Sequence, residues 1–270
     1  MSKIPNFLEE ITLDDVSTHI YDLYVDSAPS ENQDLGIVSK KDQLQISISD
    51  SDYQFEQSIS NLNTSNSSTG FVLWRVSIPF VKWIQTKQLH DFKDKYVVEL
   101  GAGVTGLLSS TIGLKTQHWI ATDQYHLIKL LKKNISNNVP IFQSSTIECD
   151  MKPKKKQIVP KIDACVYDWE NIEQGLYEIK ELNPKEPDFI IGCDIVYNDY
   201  LVPYLVDAID KLAGPSTRVL IGLQLRLPEN IEYFVEQLLK RGLKVYKYEE
   251  SSLIEDLQRG YVVYYITKSA

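Results

Sequence analysis

The chain has 270 residues, with 28 basic and 37 acidic side chains and a formal net charge of −9. Its hydrophobic content of 43% and charged content of 24% are typical of a globular protein. No apolar run approaches the ~20 residues that a membrane-spanning helix needs, and the first residues lack a secretion signal. We therefore expect a cytoplasmic protein without a membrane partner. The negative charge also argues against nucleic acid as a partner.

The cysteines and histidines form no metal-binding pattern. The three cysteines are widely spaced, without a Cys-x-x-Cys pair, and the four histidines form no His-Glu-x-x-His motif. We therefore expect no metal site, and we expect the thiols to be reduced and mostly buried.

Residues 1–68 are predicted to form an N-terminal α/β extension, which is a candidate for contact with a substrate. Residues 7–25 carry apolar side chains at helical spacing, with Leu13-Asp14-Asp15 as a place where the helix could restart. Residues 36–49 alternate apolar and polar side chains as a strand does. The stretch SNLNTSNSSTG, residues 60–70, is typical of a loop, so we place the domain boundary there.

The main domain, residues 69–270, alternates strands with helices. Helices are predicted over residues 71–85, where Pro79 interrupts the pattern, and over residues 104–115, 125–138, 200–213 and 230–242. Strands are predicted over residues 95–103, 118–123, 162–169, 188–194, 217–224, 243–251 and 261–268. Such alternation predicts a parallel sheet with helices on both faces. Only a short loop separates the last two strands, which suits an antiparallel pair because a parallel crossover needs a dozen or more residues. The lysine-rich stretch 151–161 is predicted to be a solvated insertion.

The stretch VVELGAGVTG places Gly101, Gly103 and Gly106 directly after a strand and before a helix. Glycines at such a turn let the backbone approach a ligand, and the helix N-terminus offers free N–H groups. Asp123 ends the next strand, 22 residues after Gly101, where a carboxylate can bind both hydroxyls of a ribose. This pattern predicts a ligand that contains a nucleoside. The alternative is a tight strand–helix turn followed by a helix-initiating Asp.

Glu99 helps to select the nucleoside. It precedes Gly101 by two residues, where it would repel the pyrophosphate of a dinucleotide and attract the positive groups of S-adenosylmethionine. Alternatively, its side chain turns away or anchors the backbone of the loop. We therefore favour S-adenosylmethionine over NAD(P), which the same glycine pattern also permits.

The stretch IIGCDIVYNDY, residues 190–200, is a second candidate site. Its apolar start predicts a strand that ends at polar Asp194 and at Tyr197. The alternative for Asp194 is a helix N-cap, a position that Asp favours. The alternative for Tyr197 is packing, because Tyr200 and Tyr204 follow at positions that share a helix face with it.

Four motifs in order along the chain resemble the seven-β-strand methyltransferases. They are VELGAGVTG, then Asp123, then Tyr167-Asp168-Trp169, then Asp194-Ile195-Val196-Tyr197. More narrowly, the chain is similar to the protein-lysine methyltransferases called family sixteen, which also have an upstream Trp, here Trp74 in TGFVLW. The resemblance covers roughly residues 69–267. The segments IYDLYVDS and LGIVSKK before it look most like the fungal ribosomal-protein lysine methyltransferase branch.

The resemblance implies a fold, an activity and a set of site residues. The fold would be a Rossmann-like, seven-stranded class I methyltransferase sheet with its last strand antiparallel. The activity would be S-adenosylmethionine-dependent N-methylation of lysine in a ribosomal protein, with a translation elongation factor as the alternative target. Residues implied to bind the cofactor are Trp74, Glu99, Gly101, Ala102, Gly103, Asp123, Asp168, Trp169 and Cys193.

Asp194 and Tyr197 are the implied catalytic residues, at the place where the lysine would enter. Asp194 could accept a hydrogen bond from the amine, and Tyr197 could line the channel. We expect a monomer that binds a protein substrate. Two rival hypotheses are an NAD(P)-dependent oxidoreductase and a binding module that keeps the fold without catalysis.

Overall fold

A computed structural model describes residues 5–27, 36–63, 69–139 and 160–268 of the chain. The strands within these residues are β1 (Leu8–Ile11), β2 (Gln43–Ile48), β3 (Ser51–Glu56), β4 (Tyr96–Leu100), β5 (His118–Asp123), β6 (Lys161–Val166), β7 (Phe189–Cys193), β8 (Arg218–Gln224), β9 (Leu243–Tyr248) and β10 (Tyr261–Lys268). The α-helices are α1 (Val16–Asp26), α2 (Ser77–Lys87), α3 (Leu107–Thr111), α4 (Tyr125–Asn138), α5 (Ile172–Leu182), α6 (Val202–Leu212), α7 (Pro228–Lys240) and α8 (Glu255–Gln258).

One eight-stranded sheet carries the fold, in the order β1-β9-β10-β8-β7-β4-β5-β6. Strands β4 to β8 pair in parallel, and β10 lies antiparallel between β8 and β9. Strand β4 is buried along its whole length, as expected for a central parallel strand covered on both faces. The Rossmann-like sheet with an antiparallel last strand is therefore confirmed, and β1 adds an eighth strand at one edge.

The helix predicted over residues 7–25 is wrong in its first half. Residues Leu8–Ile11 form β1, in which Leu8 lies opposite Tyr248 of β9 in an antiparallel pair. The helix begins only at Val16, directly after the predicted restart at Leu13-Asp14-Asp15. A strand of four residues depends on hydrogen bonds to a partner far away in sequence, so local periodicity does not reveal it.

The strand predicted over residues 36–49 is in fact the first half of a hairpin. Only β2 is extended over several residues there, and β3, which the sequence did not predict, pairs with it in a separate two-stranded sheet. Ser49 turns the chain with a φ of 53°, in the left-handed region. The hairpin packs on α4, and both contribute side chains to the core on one face of the main sheet.

Two predicted helices are shorter than their patterns suggested. Helix α2 leaves out the first residues of the predicted span 71–85, and Trp74 instead forms an isolated bridge with Ile37. Pro79 lies in the first turn of α2, where its missing N–H does not interrupt the helix. Helix α3 covers only the middle of the predicted span 104–115.

Asn134 on α4 ties the hairpin to the glycine-rich loop that follows β4. Its Oδ1 accepts a hydrogen bond from the Glu56 N–H at 2.8 Å, and its Nδ2 donates to the carbonyls of Glu56 at 2.8 Å and Val104 at 2.7 Å. The side chain is completely buried. Because a buried polar group without a partner is costly, this single amide fixes the distance between hairpin, helix and loop.

Two apolar cores cover the two faces of the main sheet. One contains residues of α1, α5, α6 and α7, and the other contains residues of α2, α3, α4 and the hairpin. The N-terminal region contributes to both, with Ile20 in the first core and Phe55 in the second. The domain boundary at residue 68 therefore stays a prediction.

The lysine-rich stretch, up to residue 159, lies outside the described residues. Within the described ranges, no helix has the length and apolar character to span a membrane.

We expect Asn134→Ala to lower the free energy of unfolding by about 3 kcal/mol, because it leaves several buried backbone groups unpaired. The matched control is Asn138→Ala, one turn later, whose side chain makes the same kind of bonds to Gln54 in a more exposed place. Water can replace those bonds, so we expect a loss of about 1 kcal/mol. Urea denaturation measures both, and equal losses would contradict the role given to Asn134.

Candidate active site

A cleft opens where the carboxyl ends of β4, β5 and β7 meet. The space between its lining atoms is about 790 Å³, open solvent at its mouth included. Every site residue selected from the sequence lines it: Trp74, Glu99, Gly101, Ala102, Gly103, Asp123, Asp168, Trp169, Cys193, Asp194 and Tyr197. The structure thus brings the predicted residues together, while their individual roles stay predictions.

The glycine loop after β4 has a conformation that other residues rarely adopt. Gly101 and Gly103 have φ angles of 64° and 62°, in the left-handed region. A Cβ atom on Gly101 would also lie only 2.7 Å from Cγ2 of Ile195. The Gly103 N–H donates a hydrogen bond of 2.7 Å to Oδ2 of Asp123. The loop is therefore fixed against β5 and leaves its backbone open to the cleft.

Asp123 ends β5 and is almost completely buried. Besides the bond from Gly103, it accepts one of 2.8 Å from the Gln124 N–H. Burial raises the pKa of Asp123 to about 6, although both amide donors favour the ionised form. A carboxylate has about four acceptor positions, so two bonds leave capacity for the hydroxyls of a ribose.

Glu99 is buried and bonded in the interior. Its Oε2 accepts hydrogen bonds from the Ser109 hydroxyl at 2.5 Å and from the Trp119 indole N–H at 2.8 Å. Burial raises the pKa of Glu99 to about 7. The side chain therefore anchors α3 and β5 rather than the backbone of the glycine loop. It also lines the cleft, so its ionised form acts there at close range.

Asp168 and Trp169 follow β6 and border the cleft on the side of the glycine loop. Oδ1 of Asp168 accepts a hydrogen bond of 3.2 Å from the Glu170 N–H and caps the short turn that follows. Cζ2 of Trp169 lies 3.6 Å from the position that a Cβ of Gly101 would take. The indole N–H of Trp169 is buried and has no hydrogen-bond partner among the described residues, so an acceptor on a bound molecule could satisfy it.

Trp74 and Cys193 also line the cleft. The indole N–H of Trp74 donates to the Thr69 carbonyl at 3.0 Å. Burial raises the pKa of the Cys193 thiol well above its usual value, despite a hydrogen bond with the Ser77 side chain. Cys193 therefore stays a neutral, small side chain that shapes the cleft. Cys193 and Cys165 are both free thiols, as predicted, whereas Cys149 lies outside the described residues.

Asp194 is held by an ion pair instead of capping a helix. Its φ of 58° is left-handed, and its N–H donates to the Gly222 carbonyl at 2.8 Å. Its two carboxylate oxygens accept hydrogen bonds of 2.7 and 2.6 Å from the two Nη atoms of Arg226. The following turn is capped by Asn198, which accepts from the Tyr200 N–H at 3.1 Å. The helix-capping alternative for Asp194 is therefore wrong.

Arg226 is the residue of this region that the sequence did not indicate. Besides pairing with Asp194, it donates to Oε1 of Gln224 at 3.2 Å, and its guanidinium lies 5.2 Å from the ring centre of Trp74. A bidentate, stacked guanidinium of this kind connects the strand end at Asp194 to the wall of the cleft. The only signal in the sequence was a lone Arg just after β8, the strand beside β7.

Tyr197 lines the cleft and is separate from the other tyrosines. Burial raises the pKa of Tyr197, and a side-chain hydrogen bond with Thr69 acts in the opposite direction. Helix α6 begins only at Val202, so Tyr197 does not share a helix face with Tyr200 and Tyr204. Those two lie on a neighbouring surface with their ring centres 5.5 Å apart. The packing-stripe alternative is therefore wrong for Tyr197.

The excess charge of the cleft is negative. The carboxylates of Glu99, Asp123 and Asp168 line it without an ion pair to a described residue, whereas Asp194 is paired with Arg226. No Lys, Arg or His of the described chain lines the cleft. Such a cleft would repel a pyrophosphate and attract a ligand that carries ammonium and sulfonium charges. With the glycine loop and the unsatisfied indole N–H of Trp169, these groups fit S-adenosylmethionine. Sheet and cleft together define a class I methyltransferase.

The comparisons with known proteins agree with this class and narrow it. A family model described as "Lysine methyltransferase", Methyltransf_16, matches residues 54–241. The chain belongs to this family, and it is an S-adenosylmethionine-dependent enzyme that methylates lysine in proteins. The oxidoreductase hypothesis is therefore wrong.

Within the described part of the chain, no group of three or more His, Cys, Asp or Glu residues could hold a metal ion.

Relatives with known names are similar to this chain over most of its length. "Ribosomal lysine N-methyltransferase 5" of Kluyveromyces lactis is 26% identical over 91% of this chain and 96% of its own length. "EEF1A lysine methyltransferase 3" of Xenopus tropicalis is 28% identical over 65% of this chain and 72% of its own. Among solved structures, a putative SAM-dependent methyltransferase from Streptococcus mutans has a TM-score of 0.49 and 10% identity, over 85% of this chain and 56% of that one.

The raised pKa of Glu99 predicts a pH-dependent loss of stability that Glu99→Gln removes. Since the folded-state pKa of about 7 exceeds the ordinary value of 4.5 for a Glu side chain, this contribution to stability is complete below pH 4.5 and is lost as pH rises through 7. We expect the unfolding free energy of the wild type, minus that of the variant, to fall by roughly 3 kcal/mol over this window. Chemical denaturation without cofactor measures it, and a constant difference would contradict the assignment.

Loss of the Arg226 guanidinium should cost more than loss of the whole ion pair. Arg226→Met leaves the buried Asp194 carboxylate unpaired, so we expect the free energy of unfolding to fall by about 3–5 kcal/mol. The double variant Asp194→Asn with Arg226→Met should recover part of that loss, because no charge is then left buried. Equal stability of wild type and Arg226→Met in urea denaturation would show that the pair is not held as described.

Proposed function

We propose that the protein methylates a lysine of a ribosomal protein. The named activity of the Kluyveromyces lactis relative, which matches nearly its full length to this chain, supports this target. The Xenopus tropicalis relative supports a second candidate, a translation elongation factor, over a smaller part of the chain. The net charge of −9 suits either kind of basic partner.

One observation carries the site assignment. An acidic cleft that suits a cationic cofactor meets the Asp194–Tyr197 segment at the adjacent ends of β4 and β7. When bound, S-adenosylmethionine would supply a methyl group on a positively charged sulfur: a neutral amine forms a bond to the methyl carbon as the carbon–sulfur bond breaks, and S-adenosylhomocysteine leaves. Gly101, Gly103 and Asp123 would hold it, and Trp169 would pack against its base.

The enzyme's own task is to receive the lysine amine in its neutral form. A free lysine has a pKa of about 10.4, so most of it is charged at neutral pH. Desolvation beside Tyr197, Ile195 and Leu201, which line the cleft, favours the neutral amine. The raised pKa of Tyr197 keeps its hydroxyl protonated, so Tyr197 would orient the amine and exclude water rather than take its proton.

Asp194 would position the lysine instead of acting as a strong base. Both its oxygens are bonded to Arg226, and its side chain is only 1% exposed. Oδ1 also accepts a long hydrogen bond of 3.4 Å from the Gln224 N–H, whereas Oδ2 keeps a further lone pair that a substrate amine can use. The proton of the lysine can leave to water before the amine is sealed into the cleft.

The conservative variants Asp194→Asn and Tyr197→Phe test these roles. We expect both to bind the cofactor with wild-type affinity in calorimetry, and we expect the rate of methyl transfer to fall at least about tenfold. Asn keeps the shape of Asp194 and one acceptor oxygen for Arg226, whereas Asp194→Ala would remove both acceptors. Wild-type rates in both variants would contradict the assignment.

The target itself can be identified by labelling. Wild-type protein is incubated with tritiated S-adenosylmethionine and a lysate of cells that lack it, and the labelled band is identified by mass spectrometry. We expect a ribosomal protein with a modified lysine. Labelling of elongation factor alone would favour the second candidate, and labelling of RNA would contradict a protein target.

We further propose that the enzyme acts as a monomer in the cytoplasm and that residues 1–68 face the substrate. Support for the last point comes from the contact between this region and the cleft wall. The Arg75 N–H donates to the Gly36 carbonyl at 2.6 Å, and Ile37 bridges to Trp74. The region thus lies beside the end of the cleft at which Asp194 and Arg226 are paired.

A further inference from the structure

A surface groove lies between α6 and the beginning of α7, beside the active-site cleft. Its lining includes Asp199, Tyr200, Tyr204, Glu229, Asn230 and Tyr233, and we call it the tyrosine groove. Asp199 and Tyr200 directly precede Leu201, which lines the cleft itself. The groove therefore continues the rim of the cleft at the side where Tyr197 and Asp194 lie.

Aromatic and apolar side chains are exposed in and beside the tyrosine groove. Tyr200 is 58% exposed, and its ring is tilted by 53° against that of Tyr204. Leu227, which precedes Glu229 by two residues, is 61% exposed. Large apolar side chains exposed next to one another are typical of surfaces that bind a partner.

The charges of the tyrosine groove are negative and have no internal counterion. Asp199 and Glu229 are both exposed, and neither forms an ion pair with a described residue. Among the residues that the structure describes, no Lys or Arg lines the groove. At its edge, the Tyr200 hydroxyl donates to Oε1 of Glu170 at 2.8 Å, which places a third carboxylate nearby. The groove therefore offers carboxylates and aromatic faces, the two kinds of group that bind guanidinium and ammonium ions.

We propose that the tyrosine groove binds a basic, extended segment of the protein substrate, whose arginine or lysine side chains flank the lysine that enters the cleft. This inference rests on the proposed function, because the groove adjoins the entrance that a substrate lysine would use. The flanking cations would stack on Tyr200 and Tyr204 and pair with Asp199 and Glu229. An RNA partner would be repelled by the same carboxylates.

A binding assay without turnover tests the groove directly. The probe is a short fluorescein-labelled peptide with one central lysine flanked by arginines, compared with the same peptide carrying glutamines. Fluorescence anisotropy is read with S-adenosylhomocysteine bound, at low and at physiological salt. We expect the arginine peptide to bind the wild type about tenfold more tightly, and we expect salt to reduce this preference.

The variants are chosen to keep the fold intact. Asp199→Asn with Glu229→Gln removes both charges, and the Asn keeps the bond that Asp199 accepts from the Tyr200 N–H. Tyr204→Leu removes one aromatic face. The matched control, Asp91→Asn with Glu181→Gln, removes two exposed charges elsewhere on the surface. We expect the groove variants to lose most of the tenfold preference and the control to keep it.

Several results would overturn the proposal: equal binding of the two peptides, the same loss in the control, or tighter binding of a single-stranded RNA than of the arginine peptide. A kinetic arm separates this proposal from the proposed function. If the wild type methylates a ribosomal fraction and Asp199→Asn with Glu229→Gln does so with unchanged KM, the groove is wrong and the function stands. If the wild type methylates no protein, the proposed function fails.

Discussion

The backbone of the glycine loop is the constraint on which the site depends, because three separate parts of the chain bond to it. Asp123 accepts from the Gly103 N–H, the Gly70 carbonyl accepts from the Val104 N–H at 2.8 Å, and Asn134 donates to the Val104 carbonyl. A Cβ on Gly103 would come within 3.2 Å of the Gly70 oxygen. The contact between Gly103 and Gly70 and the bond from Asn134 thus hold the glycine loop, the segment before α2 and the hairpin in fixed positions relative to one another.

The cleft keeps its carboxylates at a cost that a cationic ligand would offset. Glu99 and Asp123 are both buried, and burial raises the pKa of each, so water does not stabilise their charges. A positive group placed between these carboxylates would be attracted by each of them, whereas a phosphate would be repelled by each of them. The same glycine pattern can serve either ligand, so the surrounding charge decides which one a fold of this kind accepts.

The sequence predicted those parts of the site that depend on neighbours along the chain. The glycine loop and Asp123 were readable because each lies at the end of a strand whose apolar run is local. Arg226 was not, because its partner Asp194 comes from another strand and only the sheet brings the two together. Strand β1 was not predicted for the same reason, since its hydrogen bonds come from β9. The left-handed turn at Asp194 could not be told from a helix cap in the sequence, so capping stayed open as an alternative.

The ion pair of Asp194 and Arg226 connects the end of β7 to the wall of the cleft. Arg226 also stacks over Trp74, and Trp74 bridges to Ile37 in the N-terminal region. A buried ion pair adds little net stability, because desolvation cancels much of its attraction, but it fixes geometry closely. The pair therefore makes sense as a positioning device. It holds the strand end, the cleft wall and the N-terminal region in one arrangement around the proposed lysine entrance.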